Sequence, residues 1–588
     1  MDLLTPQPDR RPDSSPIKRL LLVPLSLVAT VALPLVLMSS QPRAAGQAPE
    51  SSRVAPVLTG LGDLHMPVST AHSGAQAFFD QGVRLLYAFN HAEARRAFIQ
   101  AARVDDRLAM AYWGQAMTLA VNLNAPMSTE NGRLAFEASR RAQALAASAS
   151  PRERALIEAL ATRFSEDPES PRPPLDRAYA EAMARVAAAY PDDPDVQVFA
   201  ADARMNTMAW DYWQKDGTLK PDAEPVRAAL ERTFAAHPKH PGAHHYYIHL
   251  MEGTRTPEKA EASADALGGL MPTAGHMVHM PAHIYLRVGR YADAAEANVR
   301  AIAADEDYLA QCQAQGLYPI SYYPHNLHFL WAAATLEGRG RVAVDAARQV
   351  AAKVPHHHAG ALAWTSDFPV TPWLAYVRFG RWQDMLTEPR PPVTEPYATG
   401  IWHYARALGF IARGDLTRAR TESESLSATI GHEAFRTTLK DLPLLTNLQI
   451  ASRIVAGELA SAEGRHDEAI RVVREAVAIE DGLPYNEPPV WHQPTRQVLG
   501  ALLLAAGRAA DAEAAYRQDL DAFRENGWSL FGLAQSLEAQ GRPAEAHAVR
   551  ARFDRAWQRA DITLTSSRVL RAAPAAAGAV ASLDGQAR

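Results

Sequence analysis

The sequence predicts an all-α protein, a solenoid of stacked helical hairpins. Three observations predict it. Glycine-centred turns recur through the C-terminal half: EGRGR at Gly338, RFGRW at Gly380, ARGDL at Gly414, AEGRH at Gly464, AAGRA at Gly507 and AQGRP at Gly541. Between them run Ala-rich segments of helical period, 34 to 50 residues from turn to turn, the spacing expected of paired helices. No run of convincing length alternates with the period of a strand. A lone hairpin leaves an apolar face open to water, so residues from about 70 to 560 are expected to form one continuous stack.

Taken in order, Lys18-Arg19 precede an apolar run, Leu20 to Met38, and a small polar segment follows. Residues 1–45 read as a signal peptide with cleavage near Ala45 or Ala48. The run is 19 residues long and holds Pro24 and Pro34, so a retained N-terminal membrane anchor is the alternative. Either form places the chain in the periplasm or outside the cell, or anchored to the inner membrane. Arg10-Arg11 gives a twin-arginine signal only weak support. Residues 46–70 read as a flexible leader. The N-terminal hairpins span 71–240. The first is Phe78 to Asp106, where Asn90 takes the turn position that glycine holds elsewhere and suits a left-handed backbone. Pro168 to Pro174 reads as a linker and AWDYWQKDG, from Ala209, as an aromatic insert. Histidine-rich hairpins occupy 241–356 and the most regular ones 357–560. The Ala-rich tail, 561–588, reads as disordered.

Composition excludes several functions. The chain has 588 residues, a net charge of −5 and no basic block, so nucleic acid is not expected as a partner. Its single cysteine, Cys312, rules out an internal disulfide, a CxxCH haem site and a thiolate zinc ribbon; an inert buried thiol is expected there. Nothing resembles a nucleophile elbow, a P-loop or a dinucleotide fingerprint.

The chemical signal lies between Gly242 and Trp331. Eight of the 21 histidines fall there: His244, His245, His249, His276, His279, His283, His325 and His328. Their spacing is helical, i,i+4 for His245 and His249, i,i+3,i+7 for His276, His279 and His283, and i,i+3 for His325 and His328. Residues so spaced share a helix face.

VGRYADAAEANVRAI, from Val288 to Ile302, resembles the second half of a tetratricopeptide (TPR) repeat, with Gly289 at the turn, Ala282 and Tyr285 in its first helix and Ala294 and Ala301 in its second. The resemblance implies a right-handed TPR-like α-solenoid. It places His276, His279, His283, Leu286 and Arg287 on the concave groove. Neighbouring repeats in the same register add His245, His249 and Glu252 on one side and His325 and His328 on the other. Longer strings, YAFNHAEA, AYWGQAM, AWDYW, HPGAHHYYIH, GHMVHMPAHIYLRVGRY and YYPHNLHF, resemble a group of bacterial TPR proteins. That resemblance implies the fold and assigns no chemistry.

Seven histidines aimed at one concavity point to metal. Neutral imidazole is the commonest metal ligand, and two on one helix face share an ion readily. The expected ligands are His245, His249, His276, His279, His283, His325 and His328. Without thiolates and with few carboxylates, copper or zinc is expected. Met277 and Met280 read as core. Were the protein an enzyme, Glu252 would be ligand, orienting acceptor or general base, and Arg287 would hold an anionic substrate or pair with Glu252. Tyr246, Tyr247, Tyr285, Tyr322 and Tyr323 read as core, with one free to reach the metal. His356, His357 and His358 read as a loop, and His403 as a satisfied core histidine. The competing expectation is a non-catalytic scaffold that binds a peptide or protein in the groove.

Overall fold

Each predicted glycine turn adopts the left-handed backbone that ends one helix and frees the chain to start the next. Gly289, Gly338, Gly380, Gly414, Gly464, Gly507 and Gly541 all have φ between 63° and 86°, a region closed to most side chains. Gly289 shows the mechanics. It caps the helix Pro281–Val288 in left-handed backbone, and the next residue, Arg290, donates its N–H to Tyr285 O at 2.8 Å. Where the paired helices touch, small residues let the backbones approach: Ala282, Ala294 and Ala301 are fully buried.

The computed structural model describes residues 53–312, 318–354, 365–392 and 394–570. These form an all-α solenoid in which each helix packs chiefly on the next along the chain. Among the described residues the only β pairings are two isolated bridges, Asn122 with Ala125 and Trp213 with Leu219. No helix among them is long and apolar enough to cross a membrane. The expected signal or anchor segment, the His356–His358 run and residues 571–588 lie outside the described residues.

Four expectations are corrected. The first hairpin turns one residue early: Phe89, not Asn90, is left-handed (φ 55°), while Asn90 becomes the N-cap of His91–Val104 and accepts from Glu93 N. An amide oxygen can cap a helix start, and a phenyl ring cannot. The leader is ordered over residues 53–70. Its backbone donors are taken by side chains of the first hairpin: Val54 N by Gln100 Oε1 (2.8 Å), Leu58 N by Gln81 Oε1 (2.9 Å) and Met66 N by Asp80 Oδ1 (3.1 Å). The tail is ordered to residue 570. Asp561 accepts from Gly340 N (2.6 Å) and Arg341 N (3.0 Å), satisfying the start of the helix Gly340–Lys353.

The fourth correction concerns the groove. The stack curls until late hairpins meet central ones. Trp528 Nε1 donates to Thr335 O (2.9 Å), and Tyr291 OH to Arg524 O (2.7 Å). The indole of Trp557 lies where a Cβ on Gly338 would stand. The connection between His466–Glu480 and Thr495–Ala505 therefore runs inward and covers the histidines. The concave surface is a partly covered cavity rather than an uncovered groove.

Candidate metal centre

Four helices supply the histidines. Pro241–Met251 begins at its N-cap His240, whose Nδ1 accepts from Ala243 N (3.1 Å), with Pro241 in the first turn. It carries His245 and His249 on one face, and Glu252 follows as its last half-turn. The helix expected to carry His276, His279 and His283 is two helices, Gly275–His279 and Pro281–Val288. Pro281 has no N–H to offer Met277, which breaks the ladder there while Met280 stays in helical backbone (φ −50°, ψ −36°). Tyr322–Leu336 carries His325 and His328.

The side chains converge into three sets, each with ligand atoms within 4.8 Å of one another: His245, His249 and His276; His279, His283 and His325; and Glu252, His283 and Glu487. Six of the seven predicted histidines belong to these sets. His245 Nε2 lies 3.1 Å from His276 Nε2, and His279 Nε2 lies 3.0 Å from His283 Nε2. His283 Nδ1 lies 2.9 Å from Glu252 Oε2 and 2.9 Å from Glu487 Oε2, yet it has no hydrogen-bond geometry to either oxygen. Ligands about 2.0–2.2 Å from one ion and set at right angles stand about 3 Å apart.

Neighbouring groups decide which ring nitrogens are bare. Tyr87 O can only accept, so His245 Nδ1, 2.7 Å away, must donate to it. Asn298 gives its Nδ2 to Ala294 O (2.8 Å), which turns its Oδ1 toward His279 Nδ1 at 2.7 Å; that nitrogen also donates. In the neutral rings Nε2 of His245 and of His279 is therefore a lone pair facing another imidazole. Nε2 of His249 and Nδ1 of His276 are buried without a hydrogen-bond partner. Such orphans are costly unless something binds them.

Electrostatics keep the cluster poised for a cation. Burial, then neighbouring histidines, holds His245, His276, His279 and His325 well below the usual imidazole range, so their lone pairs are not lost to protons near neutrality. His283 goes the other way: burial opposes its protonation, but Glu252 and Glu487 outweigh it and raise it. Burial likewise opposes ionisation of Glu252, yet His283 and His249 hold it below the carboxylate range. Glu487 is pushed up to about 7, by burial first, with the nearby Glu252 adding to the rise.

Two aromatic rings wall the first set. Phe89 stands 4.5 Å from His245, 5.8 Å from His249 and 5.3 Å from His276, ring centre to ring centre. Trp210 meets His249 edge-on at 5.6 Å. Both have left-handed backbone, φ 55° and 59°, a strained state for a bulky residue that surrounding packing must enforce. Strain of this kind gathers at functional sites.

A cavity of about 320 Å³ opens on the cluster, the low end of the range for small-molecule sites. His249, His276, His283, His325, Glu252 and Glu487 reach it, with Trp210, Tyr322 and Tyr485 as aromatic walls and Asp367, Asp441, Asn124 and Asn447 as polar ones. None of the lining residues is lysine or arginine.

The remaining predicted residues fall as follows. His328 lines the cavity but belongs to no set; it stacks on Trp331 at 4.9 Å, and its Nε2 is 3.9 Å from Asp367. Arg287 is set back from the cavity, donates to Thr254 O (3.2 Å) and stacks on Tyr485 rather than pairing with Glu252. Of the predicted tyrosines, Tyr322 alone lines the cavity, its hydroxyl accepting from Asn124 Nδ2 (3.3 Å). His244 is satisfied by Ser263 Oγ (3.0 Å) and Pro238 O (2.9 Å). His403 is buried against Glu422 (2.6 Å), as a core histidine should be. Met277 and Met280 are core. Cys312 is buried, and its thiol is pushed up to about 12 by that burial. Sequence reasoning missed Glu487, the Tyr87 carbonyl, Asn298, Phe89 and Trp210. Trp210 stood in the aromatic insert already singled out; nothing in YNEPPVW marked Glu487 as a neighbour of histidines some two hundred residues earlier.

No family model matches the chain, and no curated protein matches it. Among solved structures it is similar to the human IFIT1 dimer with m7Gppp-AAAA, at 12% identity and a TM-score of 0.30 over 83% of this chain and 90% of that one. It is also similar to yeast Tom70, at 11% identity and a TM-score of 0.24 over 83% and 92%. Likeness at this level carries nothing about the histidine centre, whose reading rests on its own geometry.

Proposed function

We propose that the chain is an exported metal-binding solenoid whose partly covered centre holds transition-metal ions, zinc or copper, on His245, His249, His276, His279, His283 and His325 with Glu252 and Glu487. One observation carries the reading. His283 Nδ1 sits 2.9 Å from two buried carboxylate oxygens without hydrogen-bonding to either, the spacing of ligands around one ion. The all-imidazole sets suit copper or zinc; the oxygen-rich set suits zinc. A bound ion supplies Lewis acidity and an activated water. This chain's own residues, Phe89, Trp210 and Tyr485, then shield the site from bulk water. A small molecule entering the cavity meets its histidine side, which makes a metal-dependent enzyme the natural extension of the reading.

A stack of helical hairpins is also consistent with protein binding. That alternative leaves the orphaned imidazole nitrogens unexplained.

The test is elemental analysis of the protein purified without a histidine tag. At least one equivalent of zinc or copper is expected, falling sharply in the double variant His279→Ala, His283→Ala, with helical content checked by circular dichroism. Trace metal that the double variant leaves unchanged sinks the reading.

A further inference from the structure

We infer that His283 is shared between two metal ions: its Nε2 binds one held with His279 and His325, and its Nδ1 binds another held with Glu252 and Glu487. The inference deepens the metal-binding reading above and rests on it.

His283 is the only residue common to two of the three ligand sets. Each set meets a different edge of its ring. On one edge Nε2 lies 3.0 Å from His279 Nε2. On the other, Nδ1 lies 2.9 Å from each of two carboxylate oxygens. A single N–H cannot point at both oxygens, and the ring lies out of hydrogen-bonding alignment with each. An ion has no such directional limit. It sits off the line between ring and carboxylate and touches all three atoms at once.

Charge argues the same way. Glu252 and Glu487 are buried together. Glu252 has a second, longer contact, Oε1 to His249 Nδ1 at 3.5 Å, while both oxygens of Glu487 are buried without a hydrogen-bond partner. No lysine or arginine lines the cavity. Arg287 acts on Glu487 only from behind Tyr485; among the described residues the groups within ion-pair distance of the two carboxylates are histidines, a place that suits a dication. On the opposite edge, His279 presents an Nε2 lone pair because its Nδ1 keeps the proton it donates to Asn298 Oδ1. That lone pair needs a proton or an ion from the His283 side.

Sharing requires His283 to give up both N–H protons. One proton leaves to water as the first ion takes Nε2, and the other leaves to water as the second ion takes Nδ1. The two ions then stand about 6 Å apart, two metal–nitrogen bonds plus the width of the ring. The set His245, His249 and His276 lies outside this pair.

The experiment loads the metal-free full chain, without a histidine tag, with copper(II) and compares copper content with the intensity of the electron paramagnetic resonance signal. Two ions sharing one ring couple their spins, so the signal per copper is expected to fall well below one spin per ion. Glu487→Gln, nearly isosteric, removes a ligand from one side only. It is expected to lower the copper content by about one ion and to restore the signal per remaining copper, with circular dichroism and the melting temperature showing that the fold is kept. Copper bound with one full spin per ion in the unaltered protein overturns the sharing and leaves the metal reading standing. Failure to bind copper or zinc at all overturns both.

Discussion

A carbonyl oxygen cannot donate a hydrogen bond, and from that fact the chemistry of this centre follows. Tyr87 O fixes the proton of His245 on Nδ1, and Asn298 Oδ1 does the same for His279. Each leaves an Nε2 lone pair aimed inward. Such partners set ring orientation and basicity, and losing one typically costs 10–100-fold in metal affinity. Asn298→Ala is therefore expected to weaken binding by about that factor, measured by competition with a chromophoric chelator, and also to lower the melting temperature of the metal-free protein, because it leaves the buried His279 N–H unpaired. Unchanged affinity would mean that the proton position on His279 is set elsewhere. The clustered histidines were legible in the sequence as residues, because i,i+3 and i,i+4 spacing is local. Their protonation was not, because Tyr87 and Asn298 come from other hairpins.

At the scale of elements, the short helix Gly275–His279 is held by a buried carboxylic acid. Asp305, on the helix Tyr291–Cys312, accepts from Tyr318 OH (2.8 Å) and Asn326 Nδ2 (2.7 Å). Tyr318 OH in turn accepts from His276 N (3.2 Å). Gly275 has no side chain because a Cβ there would collide with the Asp305 carboxylate. Burial pushes Asp305 up to about 7, although both donors oppose the rise. The folded state then keeps a proton that the unfolded chain, ionising near its usual 3.8, gives up. The stabilisation is complete below about pH 4 and drains away as pH rises toward 7, at no more than about 1.4 kcal/mol per pH unit. Urea unfolding of the metal-free protein is expected to show that decline, and Asp305→Asn to flatten it. An equal slope in both proteins would place the titration on another group. The helix pairs and their glycine turns were readable one hairpin at a time. The break at Pro281 was not given its weight, because the repeat register treated GHMVHMPAHIYL as one helix.

For the whole molecule, the decisive feature is closure. Residues 484–490 reach a site built from residues 245–325 only because the stack curls and late hairpins fasten to central ones through Trp528, Trp557 and Asp561. On the proposed reading, metal bound there would stabilise the fold by mass action, about 2.7 kcal/mol when free ion is at 100 times Kd. Stripping the protein with a chelator is expected to lower its melting temperature, and zinc or copper to restore it. Calcium is not expected to do so, since it prefers sites made wholly of oxygen ligands. A melting temperature indifferent to all three would separate the cluster from any metal.

Local rules were enough for the hairpins, the turns and the list of histidines. Helical periodicity, glycine's left-handed backbone and the need to cover apolar faces act over a few residues or between neighbours, so the linear order of side chains records them. The cavity belongs to the tertiary structure alone. How far the solenoid curls depends on small angles summed over many hairpins, and no short string of residues states that sum. It brings Glu487 to His283, partly covers the expected groove, seats Phe89 and Trp210 in strained backbone against the imidazoles, and makes one ring common to two sets of candidate ligands.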